Sequence, residues 1–99
     1  MPVERSWSTV RKKLQANPAF QQAYDDQKPE FERARSIIEA RLRNNMSQGE
    51  LAHKIGTKQP SIARLEDPEY QGGSLAMLNK IAEATNSRLV IKLEPKEAK

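Results

Sequence analysis

Apolar residues recur at helical spacing through most of this chain, and at a spacing of two in a single segment. Trp7, Val10 and Leu14 stand three and four apart behind Ser6. Phe20, Ala23 and Tyr24 repeat that stripe behind Asn17-Pro18, a cap followed by proline at the first helical position. Gln27-Lys28-Pro29 then interrupts the chain. Phe31, Ala34, Ile38 and Leu42 line one face of a longer segment, which predicts a helix from about Glu30 to Asn44. Ser47-Gln48-Gly49-Glu50 spells a capping box, in which the Ser47 hydroxyl and the Glu50 carboxylate each accept from the other's backbone N–H. Leu51, Ala52 and Ile55 give the helix behind it an apolar face, and Gly56 ends it. Thr57-Lys58-Gln59-Pro60 starts another short helix, with Ile62 and Leu65 inward. A turn-rich loop, residues 67–73, leads to Ser74, the cap of a helix bearing Leu75, Leu78, Ile81 and Ala82 and ending at Asn86. Leu89, Ile91 and Leu93 finally alternate with Arg88, Val90 and Lys92, as in a half-buried strand.

The pattern predicts a mainly α fold: a bundle of five to six helices with one C-terminal β-strand. Three stretches follow, a helical arm over 1–28, a bundle over 29–87, and a strand and tail over 88–99. A solitary strand leaves its backbone groups and apolar side uncovered. It therefore calls for a partner, and the simplest is a second copy pairing antiparallel across a two-fold axis through Leu89, Ile91 and Leu93. Addition to the sheet edge of another protein and packing against its own helices are the alternatives.

Residues 47–66 read as two short helices joined by a tight turn, a helix-turn-helix. The outer face of the second helix carries Lys58, Gln59, Ser61 and Arg64, side chains that donate to phosphates and base edges. Gln48, Leu51-Ala52, Gly56, Ile62 and Glu66, at these spacings, resemble the Cro-like (Xre family) helix-turn-helix repressors, and the resemblance runs from about Pro29 to about Ser87. The run from Lys58 to Glu66, with an ending in Leu93-Glu94-Pro95-Lys96, looks more narrowly like HigA-type antitoxins of bacterial toxin–antitoxin systems. Lys58 departs from the Ser or Thr usual in the family, and Asn45 and Asn86 replace glycines at two helix ends, where Asn tolerates the left-handed region.

The resemblance implies a bacterial, cytoplasmic DNA-binding dimer that represses its own operon and neutralises a basic, mRNA-cleaving toxin of the HigB/RelE type. A free-standing Cro-like transcriptional regulator with no toxin is the alternative. For base reading the first candidate is Gln59, whose amide can bond adenine N6 and N7 together; an exposed capping glutamine is the plainer role. Ser61 and Arg64 follow, and Ala63 can touch a thymine methyl. Gln48 opens a helix whose N-terminus attracts a phosphate, and Lys58 adds a phosphate contact. The resemblance also pairs Arg41 with Glu66 beneath the surface; otherwise Arg41 lays its stem over the core and keeps its head in water.

Composition fits a small binding module. Ninety-nine residues with 36% apolar content form one domain with a small core, which association would help. A net charge of +4 and a pI near 9.6 suit a polyanion. There is no cysteine and a single histidine, His53, so disulfides are excluded and a histidine-built metal site has no support; no cofactor is called for. No stretch approaches the ~20 apolar residues of a membrane span, and Met1 to Arg5 contain no apolar signal core. No nucleophile and base face one another, and Gly72-Gly73 lacks the strand and lysine of a phosphate loop, so an enzyme is not expected. Four of the five aromatics, Trp7, Phe20, Tyr24 and Phe31, fall in the first 31 residues, beside Asp25 and Asp26. Trp7, Phe20, Tyr24, Asp25 and Asp26 either pack on the bundle or form the surface that docks a basic toxin.

Overall fold

Pro29, whose fixed φ suits the first helical position, opens helix α1 (Pro29–Arg43). Glu30 and Glu32 lie in its first turn and Arg41 and Arg43 in its last, each sign where the helix dipole favours it. Three shorter helices follow: α2 (Gln48–Ile55), α3 (Gln59–Leu65) and α4 (Leu75–Ala84). These come from a computed structural model that describes Ala16, Pro18 and residues 29–95. The two N-terminal helical stripes expected over 1–28, with Trp7, Phe20, Tyr24, Asp25 and Asp26, lie outside the described residues, as does the end of the tail from Lys96. Of the five to six helices expected, four fall within them.

The ends of these helices follow from their residues. Ser47 and Glu50 form the reciprocal capping box, with Glu50 N donating to Ser47 Oγ at 3.0 Å and Ser47 N to Glu50 Oε1 at 2.6 Å. Gly56 adopts φ 77°, a left-handed conformation that lets Thr57 N return to Ala52 O at 2.8 Å and close α2. Asn45 and Asn86 hold the same region at φ 57° and 53°, so the asparagines do the work of glycines after α1 and α4. Asn44 Nδ2 donates to Ala40 O and to Thr85 O, at 2.8 and 2.9 Å, tying the end of α1 to the end of α4. Ser74 caps α4 through Met77 N.

The core has two parts. Ile37, Leu51, Ala52, Ile62, Leu65 and Ile81 form the main cluster, fringed by Met46, Ile55, Met77, Leu78 and Ala84. Ala34 and Ile38 form a second cluster with Phe31 and Leu42. Leu51 and Ile62 are completely buried, so truncating either to alanine costs about 2–5 kcal/mol.

Two expectations are corrected, and a third is not met within the single chain. The stripe Phe31, Ala34, Ile38, Leu42 describes only the second cluster; Ile37, one position round the helix, is what α1 gives to the main core. Leu75 opens α4 in solvent instead of facing inward, while Met77 packs on the core. No strand forms among the described residues: the segment 87–95 has no ladder, Leu89 is half-buried, and Val90, Ile91 and Leu93 are exposed. A ladder needs two paired segments, and no pairing occurs among the described residues.

Candidate nucleic-acid interface

Burial of Ile62 and Leu65 fixes the rotation of α3 and turns its other side outward. On that side Lys58, Gln59 and Arg64 are exposed, while Ser61 and Ala63 are half-buried. Lys58 precedes the helix with extended backbone, φ −109° and ψ 152°, and makes no capping hydrogen bond through its side chain. Gln48, first residue of α2, is half-buried and reaches across to α3.

A polar relay joins this face to the interior. Arg41 grips Glu66 with two parallel hydrogen bonds, Nε to Oε2 at 2.7 Å and Nη2 to Oε1 at 2.9 Å, and Nη1 donates to Met46 O at 2.9 Å. Both side chains are withdrawn from solvent, 12% and 5% exposed. Gln48 Nε2 donates to Glu66 Oε1 at 2.9 Å, and Gln59 Nε2 donates to Gln48 Oε1 at 2.6 Å. The polarity is set from the buried end. An arginine only donates and a carboxylate only accepts, so Gln48 must turn its NH2 group to Glu66 and its carbonyl to Gln59. Gln59 then spends one N–H inward, and its carbonyl oxygen and second N–H are not used in that link.

Sequence reasoning missed Arg33. Its Nε donates to Leu65 O at 2.9 Å and its Nη2 to Asp67 O at 2.6 Å. Its Nη1 donates to Tyr70 O at 2.8 Å and Gly72 O at 3.4 Å, and its guanidinium stands 5.7 Å from the Tyr70 ring centroid. Burial lowers its pKa from the ordinary arginine value, opposed by the charges of Glu30 and Asp67. A cation here satisfies the last carbonyl of α3, which no intrahelical donor reaches, and favours the negative end of that helix. The signal was available: Arg33 and Arg41 stand four residues either side of Ile37, on the inward face of α1. Arg35 is a different case, a surface cation held by Glu32 and Glu39 at 2.6 Å each, and its pKa is raised first by the Glu32 hydrogen bond.

Gln48, Gln59, Arg41 and Glu66 are thus brought together, and Lys58, Ser61, Ala63 and Arg64 share the α3 segment beside them. Leu89, Ile91 and Leu93 lie on the segment that follows α4, Leu89 half-buried and the other two exposed. His53 is exposed on α2. Among the described residues no three His, Asp or Glu side chains gather as metal ligands, and no helix is long and apolar enough to cross a membrane. A family model described as helix-turn-helix matches residues 37–91, more than half the chain. No curated protein and no solved structure matches it.

Proposed function

The chain belongs to the helix-turn-helix family, and on that premise we propose that it is a sequence-specific regulator reading double-stranded DNA through the outer face of α3. The observation that carries this reading is the held amide of Gln59. Its remaining carbonyl and N–H match the N6 donor and N7 acceptor that adenine shows in the major groove. Ser61, Ala63 and Arg64 extend the reading surface, and Lys58 and the N-terminus of α2 at Gln48 contact phosphates. The test starts from a duplex selected by the protein from a random pool. Gln59→Ala should weaken binding to that duplex by about 1–3 kcal/mol and relax preference at one base position. Equal loss on selected and random DNA would remove Gln59 from base reading.

The finer reading is an antitoxin of the HigA type, which binds a basic ribonuclease toxin and represses its own operon as a homodimer. It is supported by the run Lys58 to Glu66 and by the aromatic and acidic residues Trp7, Phe20, Tyr24, Asp25 and Asp26, which precede the matched region. Self-association is supported by the exposed apolar side chains of the C-terminal segment, Ile91 at 62% and Leu93 at 98%. Co-expression with the neighbouring reading frame separates the possibilities. Copurification with a basic protein that is toxic alone supports the antitoxin, and rescue should be lost without residues 1–28. Failure to find such a neighbour leaves a free-standing regulator.

A further inference from the structure

Residues 87–95 carry neither helix nor turn, and Lys92 Nζ lies 3.3 Å from Glu94 Oε2, on the same side of the backbone as residues two apart in an extended chain. Resting on the proposal that this segment pairs two copies of the chain, we infer its register: an antiparallel pair whose two-fold axis passes through Ile91.

The argument begins with parity. In an antiparallel pair, directly opposed residues point to the same face of the sheet. A two-fold axis between residues would oppose odd positions to even ones and put the Leu89, Ile91, Leu93 stripes of the two copies on opposite faces. The axis must therefore pass through a residue, and three centres keep the segment paired. Centred on Val90, Arg88 faces Lys92 of the other copy, twice over, and Leu93 faces Ser87. Centred on Lys92, two lysines oppose each other on the axis and Leu89 faces Pro95. Centred on Ile91, Arg88 faces Glu94 of the other copy at both ends, Leu89 faces Leu93, and Ile91 faces itself. Of the three, only this last register joins opposite charges and opposes an apolar residue to an apolar residue at every position of the Leu89, Ile91, Leu93 stripe. Like charges directly opposed disfavour the other two.

The protein contains no cysteine, so a single introduced thiol reports the axis directly. Opposed residues in an antiparallel pair have Cα atoms about 4.5–5.5 Å apart, inside the range a disulfide spans. Full-length Ile91→Cys, Val90→Cys and Lys92→Cys variants are oxidised with glutathione disulfide and followed on non-reducing gels, with light scattering on the reduced proteins. Ile91→Cys should cross-link fastest. In a second arm, Arg88→Glu should weaken the dimer by about three- to tenfold, and Arg88→Glu combined with Glu94→Arg should restore it. A dimer in which Val90→Cys or Lys92→Cys cross-links faster, in which none cross-links, or in which the charge exchange restores nothing overturns the register and leaves the dimer standing. A wild-type chain that stays monomeric by light scattering overturns both.

Discussion

Removing the Glu66 carboxylate is the perturbation whose consequences the structure sets out most fully. Glu66 accepts three hydrogen bonds, two from Arg41 and one from Gln48, with its side chain 5% exposed. Glu66→Leu would leave the Arg41 guanidinium, itself 12% exposed, with Met46 O as its remaining acceptor. An uncompensated buried charge of this kind costs about 3–5 kcal/mol. A chain of this length has about 5–15 kcal/mol in total, so the variant forfeits about a fifth of it or more. At about 4–8 °C per kcal/mol, Tm falls by at least ~12 °C. Replacing both partners, with Arg41→Met and Glu66→Leu together, removes the charge with its acceptor and should lie within about 1–2 kcal/mol of wild type. Urea denaturation of the four proteins, followed by circular dichroism, gives the coupling energy, expected at about 2 kcal/mol or more. Additive losses would refute the reasoning, because they would mean the two groups do not share the contact. A second readout separates stability from recognition. The double variant should recover its fold but not its base preference, since nothing then fixes which end of the Gln48 amide faces Gln59.

Arg33→Ala should lower stability by about 1–2 kcal/mol, a figure reduced for its partial exposure, and Arg33→Lys should recover little, because one ammonium does not reproduce a planar fork. Urea denaturation checks it, and a lysine variant as stable as wild type would show the fork to be idle. Gly73 has φ 102° and an added Cβ would meet Leu65 Cδ2 at 2.7 Å, so Gly73→Ala should cost about 1–2 kcal/mol. Gly49, helical and with only Ser47 Oγ nearby at 3.9 Å, should gain up to ~1 kcal/mol as alanine; thermal melts compare the two. Lys58→Ala should weaken selected and random DNA alike and reduce the salt slope by about one, read by fluorescence anisotropy across a salt series.

What was legible in the sequence was local. The Ser47–Glu50 box, the left-handed Gly56, the Ser74 cap and the two helix-ending asparagines depend on neighbours within a turn, and each appears in the structure as its spacing implies. The inner face of α1 was legible only in part, because this helix buries two faces. A single 3.6-residue stripe finds Ala34 and Ile38 and passes over Ile37, which meets α2, α3 and α4 residues far away in sequence. Arg33 was lost with it, for its acceptors at Leu65, Asp67, Tyr70 and Gly72 are 32 to 39 positions distant. The alternation at Leu89, Ile91 and Leu93 describes which sides of a segment differ, not what completes the pairing. A strand is a property of two paired segments, and no pairing occurs among the described residues.

The same distinction explains how the outward face of α3 is held. Seven residues are too few for a helix to persist by itself, and Lys58 adds no side-chain cap at its start. Its position must come from contacts beyond its own turns. Ile62 and Leu65 set its rotation by burial, Gln59 ties its first turn to Gln48, and α1 holds its end through two arginines eight residues apart. Arg33 takes Leu65 O and Asp67 O, while Arg41 takes the carboxylate of Glu66 between them. Two cations on one helix therefore hold three consecutive residues at the end of α3. Lost stability and lost base discrimination should consequently separate. Substitutions at Ile62 or Leu65 act on the fold as a whole, whereas uncharged changes in the polar links, such as Gln48→Met, which leaves Glu66 its two bonds from Arg41, should keep the core packed while disturbing the amide that Gln59 presents.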